Sequence, residues 1–320
     1  MTTGEVRVLD AGLLTTIQDA AGRPGLGRFG IPPGGAMDAT AARLANRLVG
    51  NGGDEAVLEL TLHGPTLEWT TGAHVGLAGA DLGAATHGLR LAPGHSHRLR
   101  PGAVLGFDGR RTGARAYLAV EGGFAVEPVL GSASSDHRSG FGGLDGRPLR
   151  AGDVLSFLGD RLEPLRSVAG PGPDTHEPVP LIATPAAFGW FAPTAVRAFC
   201  AAAWTVATDS DRTGIRLTGG TPVAATTTGI PSVALPVGAV QVPASGEPIV
   251  TMVDGPVTGG YPVLGVVPRP ALARLAQAAP GTVLRFRSIS VAAARRLARS
   301  ADDVSRIELD EGDFAAGWAG

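Results

Sequence analysis

Between residues 236 and 262 the chain carries more hydrogen-bonding side chains than a plain hairpin needs. Two short strands are expected here, Val240 to Val242 and Ile249 to Val253, joined by the turn Pro243-Ala244-Ser245-Gly246-Glu247-Pro248. The second strand runs into Asp254 and then a glycine-rich bend, Thr258-Gly259-Gly260-Tyr261. Gln241, Asp254, Thr258 and Tyr261 could converge on one small polar ligand, with Gly259 and Gly260 letting backbone N–H groups come close to it. Asp254, Thr258 and Gln241 are the candidates for chemistry. Arg212, Asp211, Tyr261, Gly259 and Gly260 are the candidates for binding. Asp211 and Arg212 lie in Asp209-Ser210-Asp211-Arg212-Thr213-Gly214-Ile215-Arg216, where the charges either pair with each other or hold a carboxylate bidentately. An ordinary hairpin with an ordinary loop is the competing reading of the same stretch.

Further carboxylates (Asp19, Asp38, Asp81, Asp136) and arginines (Arg23, Arg138) sit beside glycine-rich turns. Such a set suits a small amide or acid ligand and does not identify a reaction. All 27 basic residues are arginine, so the chain has no lysine. That excludes a P-loop, a Schiff-base enzyme and covalent biotin on this chain, each of which needs a lysine amine. Of seven histidines only His95-x-His97 has a ligand-like spacing, and no third ligand is placed, so no metal site is expected. Cys200, the one cysteine, lies in an apolar context and reads as a small core residue, not a nucleophile. The G-x-G-x-x-G at Gly25 to Gly30 is followed by Ile31-Pro32-Pro33, not by a helix, which rules out a dinucleotide fingerprint.

The elements that must hold these residues are mostly short strands. The 48 glycines and 25 prolines with few aromatics favour many strands and tight turns. A net charge of −2 gives no pull toward nucleic acid, and no basic–aromatic interleaving marks an RNA surface. No signal-peptide core or long apolar run is present, so a cytoplasmic chain without a membrane partner is expected. A helix begins at the N-cap Asp38 with Ala41, Leu44, Ala45 and Leu48 inward, and others are expected near Pro193, over Pro270 to Ala279, and from Ser290. Glu59, in the alternating strand Val57 to Leu62, faces solvent by default. A turn-glycine-Val-Leu-x-Phe pattern recurs at 101–107, 151–157 and, with Thr282 before it, at 280–286. Its presence in both halves suggests two related β domains, here placed at 1–162 and 163–290, with a helix and acidic tail over 291–320.

These motifs together resemble the family that includes the C subunit of bacterial 5-oxoprolinase. Its members are often labelled allophanate hydrolase subunit 2, and it extends to part of the carboxyltransferase region of urea carboxylase. The residues that carry the likeness run from about Val8 to Ser288: Leu14-Thr15-Thr16-Ile17-Gln18-Asp19, Gly22-Arg23-Pro24-Gly25, Pro32-Pro33-Gly34-Gly35-Ala36-Met37-Asp38, Leu44-Ala45-Asn46 and Gly79-Ala80-Asp81. Asp211-Arg212-x-Gly214, Gly238-Ala239-Val240-Gln241-Val242-Pro243 and Thr258-Gly259-Gly260-Tyr261-Pro262 complete the set. The family commonly has Ser where Gly34 or Gly35 stands, a polar residue near Gly255 and a second Thr at Val257, so a hydroxyl is missing from the loop expected to touch substrate.

The resemblance implies a mainly β protein of two cyclophilin-like β-barrel domains with a few short helices. It implies a complex with a B-type subunit and an A-type subunit, and the ATP-dependent opening of the lactam of 5-oxo-L-proline to L-glutamate. ATP is then used by the complex, with no site located on this chain. Gln241 and Tyr261 would hydrogen-bond an amide or carboxyl, Arg212 would pair a carboxylate, and Asp254 and Thr258 would orient groups at the reacting carbon. Two alternatives stay open. One is a carboxyltransferase half of a urea carboxylase-like enzyme, served by biotin on another chain. The other is a non-catalytic interaction subunit.

Overall fold

The computed structural model describes residues 2–159, 164–168, 177–301, 308–311 and 318–319. The chain divides into two compact units. The first comprises Met1–Arg23, Gly34–Pro171 and Val304–Gly320, and the second Pro24–Pro33 and Gly172–Asp303. The boundary expected between residues 162 and 163 lies outside the described residues. A ten-residue excursion, Pro24–Pro33, belongs to the second unit although the sequence on both sides of it builds the first.

In the first unit one sheet runs, in spatial order, through Val154–Gly159, Thr2–Asp10, Thr66–Trp69, Ala103–Phe107, Ala84–Thr86 and Leu89–Arg90. A second sheet runs through Leu14–Gln18, Val57–Thr61, Thr112–Val120, Ala73–Asp81, His95–Leu99, Arg166–Val168 and Leu309–Glu311. Alternation decides how this second sheet is used. Leu58, Leu60, Leu118 and Val120 point into the main core, while Val57, Tyr117, Ala119 and Ala78 point to the helix Ala39–Leu48 on the other face. Asp38 caps that helix, its carboxylate accepting from the Ala41 N–H at 3.0 Å. The helix can lie close because Gly76 has no side chain: a Cβ there would sit 2.3 Å from the Ala45 carbonyl oxygen. The acidic tail adds strands to this sheet. Leu309–Glu311 pairs with Arg166–Val168, and Trp318–Ala319 runs parallel to His95–Leu99. Strand edges left open by the rest of the sheet provide the pairing groups.

In the second unit one sheet runs Val283–Leu284, Trp204–Val206, Gly214–Thr218, Ile249–Thr251, Ala239–Gln241, Val263–Val266, Val179–Ala183 and Phe286–Ser288. Its first and last strands are separated in sequence by Arg285 alone, so the sheet curls round until its two edges meet: a nearly closed barrel. Ile215, Leu217, Val240, Val250, Trp204 and Phe199 are buried in this unit. The helix expected from Pro270 to Ala279 is shorter, a 3-10 turn at Arg269–Ala271 followed by Leu272–Ala276. The helix Val291–Ala301 starts as expected, with Ser290 Oγ accepting from the Ala293 N–H at 3.2 Å. Four α-helices against this many strands make the described chain mainly β, as the sequence indicated. None of those helices is long and apolar enough to cross a membrane.

Candidate functional site

The organising hairpin forms, with strands Ala239–Gln241 and Ile249–Thr251 slightly shorter than expected. Its turn closes with the Gly246 N–H donating to the Pro243 carbonyl at 2.9 Å, Gly246 being at φ +77°. Register places the side chains. Ile215, Val250 and Val240 oppose one another and are buried. With a period of two, their neighbours Arg216, Ile249 and Gln241 then share the opposite face, and Val263 continues the row.

Gln241 stands out in that row. It is 6% exposed, and its side-chain amide makes no hydrogen bond to the described residues. The strap Thr258–Gly259, paired to Val233–Ala234, passes over it. A Cβ on Gly259 would lie 2.7 Å from Gln241 Nε2 and 2.5 Å from Leu235 Cδ1, so a larger residue there would push both side chains aside. An amide that keeps a little solvent access and has no protein partner can be completed by water or by a ligand. Beside the row lies a hollow of about 310 Å³, lined among others by Ile249, Arg216, Asp209, Ser245, Glu247 and Tyr261. Tyr261 is 46% exposed there, and Thr258 is also exposed.

The other sequence candidates go elsewhere. Arg212 and Asp254 close on each other. Arg212 Nε donates to Asp254 Oδ2 at 2.7 Å and Nη2 to Oδ1 at 3.0 Å, with both side chains buried. The Asp254 N–H also donates to the Arg212 carbonyl. This bidentate clasp ties the start of the glycine-rich loop to the turn before Gly214–Thr218 and leaves Arg212 no freedom to hold a ligand carboxylate. Asp211 shapes that same turn, its Oδ1 accepting from the Thr213 and Gly214 N–H groups at 2.8 and 3.1 Å. Gly27, in the Pro24–Pro33 excursion, faces Val257: a Cβ there would lie 3.9 Å from Val257 Cγ1, an ordinary contact.

In the first unit several sequence motifs meet in a buried polar network. Asp19 accepts from the Gly22 N–H (2.6 Å), the Ala133 N–H (2.8 Å), Ser132 Oγ (2.6 Å) and Ser134 Oγ (3.1 Å). Arg23 grips the same loop, donating to the carbonyls of Val129, Ser132 and Ser134 under the Phe141 ring. Glu59 does not face solvent. It is 1% exposed, and its Oε2 accepts from the Met37 N–H and from Tyr117 Oη, each at 2.8 Å. Its position opposite Tyr117 on the helix-covered face overrides the default for a strand glutamate. Burial, reinforced by Glu59, pushes the Tyr117 hydroxyl well above its ordinary range, so it stays protonated and donates. Sequence reasoning missed Tyr117, whose only signal was being one of two tyrosines, set inside an apolar strand.

Asp81 makes an Asx turn with the Gly83 N–H and pairs with Arg90 and Arg111. His95 and His97 contact the carbonyls of Pro93 and Ala92, and no cluster of three metal ligands occurs among the described residues. Burial raises the Cys200 thiol, which makes it a poor nucleophile.

A nearly closed curled sheet in one unit and two sheets with a covering helix in the other define a two-unit, mainly β protein. The chain belongs to the carboxyltransferase domain family, subdomains A and B, whose pattern it matches over residues 29–288. It is 34% identical to the C subunit of 5-oxoprolinase from Haemophilus influenzae over 306 residues, which cover 96% of this chain and 97% of that one. It is 33% identical to the urea amidolyase of Lachancea kluyveri, covering 92% of this chain and 17% of that one. Among solved structures, the urea carboxylase of Kluyveromyces lactis superposes with a TM-score of 0.85 at 29% identity, over 97% of this chain and 30% of that one. The protein TTHA0988 superposes with a TM-score of 0.79 at 37% identity, and this chain spans only 56% of it.

Proposed function

We propose that this chain is the C-type subunit of an ATP-dependent 5-oxoprolinase, acting with a B-type and an A-type subunit to open the lactam of 5-oxo-L-proline to L-glutamate. The carrying observation is the side-chain amide of Gln241, a residue that is 6% exposed and whose amide has no hydrogen bond to the described residues. The amide of a five-membered lactam is held cis, so its N–H and carbonyl oxygen lie on one edge. A primary amide offers the complementary acceptor and donor on its own edge, and the two can pair through two hydrogen bonds. The near full-length likeness to proteins named as the C subunit of 5-oxoprolinase supports the same reading.

Here Gln241 pairs the lactam edge, while Thr258 and Tyr261 supply hydroxyls at the rim. Asp254 acts through Arg212 by fixing the loop, and Gly259 and Gly260 bring backbone close to the ligand. Opening the ring breaks the C–N bond, adds water to the ring carbon and returns a proton to nitrogen. That step is uphill, and ATP supplies its drive by phosphorylating the amide oxygen: water adds at the ring carbon, the C–N bond breaks to leave a protonated amine and an acyl phosphate, and a second water releases inorganic phosphate. Without a lysine this chain has no P-loop, and no phosphate site is assigned to it. The test is to co-express the chain with its B-type and A-type partners and follow ATP-dependent conversion of 5-oxoproline to glutamate. An assembled complex that hydrolyses ATP yet leaves 5-oxoproline intact would falsify the proposal.

A second reading is carboxyl transfer from carboxybiotin on another chain to a small amide. The superposition on urea carboxylase over 97% of the chain favours it. Urea also presents an N–H beside a carbonyl to Gln241. Carboxylation of urea, and no turnover of 5-oxoproline, would select this reading.

A further inference from the structure

We propose that Arg216 is the carboxylate-binding residue of this face, so that the site selects a small amide carrying its own carboxylate over a neutral amide. The inference rests on Gln241 being the amide-binding group.

Arg212 is closed off by its bidentate bond to Asp254 inside the fold. Arg216 differs in both partner and environment. It opposes Ile249, which opposes Gln241, so cation, apolar floor and open amide form one row across three adjacent strands. At the usual strand spacing the two ends of that row are roughly 10 Å apart at the backbone. Arg216 and Gln241 share this face with Ile249 between them, and of the two it is Arg216 that lines the hollow. Arg216, Ile249 and Tyr261 line the same hollow of about 310 Å³. A ligand carrying a carboxylate at one end and an amide at the other matches the row in order.

Arg216 pairs with Asp209 through Nε at 3.1 Å, with the two side chains 50% and 68% exposed. Such a solvated pair contributes little and can be exchanged for a ligand carboxylate at small cost. Asp209 therefore acts as an internal competitor. Glu247 also borders the hollow, but from the exposed turn, outside the row.

This arrangement makes two variants move in opposite directions. The probes are 5-oxo-L-proline and 2-pyrrolidinone, the same lactam without the carboxylate, titrated calorimetrically into the assembled complex. Arg216→Gln weakens 5-oxoproline roughly ten- to hundredfold and leaves 2-pyrrolidinone unchanged. Asp209→Asn, which frees Arg216, tightens 5-oxoproline severalfold and again leaves 2-pyrrolidinone unchanged. Arg216→Lys recovers part of the loss as a point charge. Equal losses for both probes, no change with Arg216→Gln, or no binding of 5-oxoproline by the wild-type complex each overturn the inference. The outcome separates from that of the proposed reaction. Turnover of 5-oxoproline with Arg216→Gln indistinguishable from wild type removes this residue's role and keeps the reaction. Arginine-dependent binding without turnover does the reverse.

Discussion

The Asp19, Arg23 and Glu59 network of the first unit and the polar row of the second are built from the same kinds of side chain and are finished differently. Asp19 accepts four hydrogen bonds, Arg23 spends its guanidinium on three backbone carbonyls, and Glu59 holds a phenol and an N–H. Those groups are buried and saturated, which is how a protein keeps charge inside without penalty. In the second unit Arg212 and Asp254 repeat that solution, while four residues away Arg216 holds its aspartate loosely in solvent, and the Gln241 amide holds none of the described residues. Residue type does not separate structure from function here. What separates them is whether the polar groups are already satisfied.

The comparison is broken most severely at the Arg212–Asp254 clasp. Arg212→Ala leaves a buried carboxylate without its guanidinium and is expected to cost about 3–5 kcal/mol in denaturant unfolding. The double replacement Arg212→Leu/Asp254→Leu recovers most of that loss. A single variant as stable as the parent shows that the clasp is not the anchor of the loop. Next comes Asp19→Ala, which strands two N–H groups and two hydroxyls in the first unit and is expected to cost about 3 kcal/mol by the same measurement.

Acid tests one of several buried groups in the first unit that lack a partner among the described residues, alongside Gln18 Oε1, Trp69 Nε1 and Ser135 Oγ. Neither ring nitrogen of His74 makes a hydrogen bond among the described residues, and the Glu121 carboxylate is 3.8 Å away. Burial, followed by the positive charges of Arg98 and Arg166 and by His97, lowers its pKa from 6.5 to about 4. Between those values only the unfolded chain binds the proton. Stability is therefore full above about pH 6.5 and falls as the pH drops toward 4, by roughly 2–3 kcal/mol for this ring. His97, lowered to about 4 chiefly by burial, acts in the same direction. Unfolding free energies measured from pH 7 to 4 should lose part of this slope in His74→Asn. An unchanged slope assigns the acid sensitivity elsewhere.

How much of this was legible in the sequence follows from the range of each interaction. The hairpin, its turn, the Asp38 cap and the Ser290 cap depend on residues a few positions apart, and spacing alone exposes them. Arg212 and Asp254 are both candidates on sequence, but their bond spans 42 residues, and nothing local shows that each is the other's ligand. Glu59 defaults to solvent because its strand alternates. A helix covering that face reverses the assignment, and only tertiary packing reveals it. The same limit hides the link between Asp19 and the serines near 132, more than 110 residues away.

The smallest expected stability effect sharpens the contrast best. Gln241 is buried and its amide makes no hydrogen bond among the described residues, so Gln241→Leu removes an unsatisfied amide at nearly constant volume. Stability should change by no more than about 0.5 kcal/mol, because the amide holds no protein partner that its loss would strand. Binding of 5-oxoproline and of 2-pyrrolidinone should both fall, since the lactam edge loses both hydrogen bonds. No saturated group in the first unit can show this pattern, because each gives up stability when it is removed. If Gln241→Leu instead destabilises the fold by as much as Asp19→Ala, then Gln241 is a structural residue, and the difference drawn between the two regions fails at its centre.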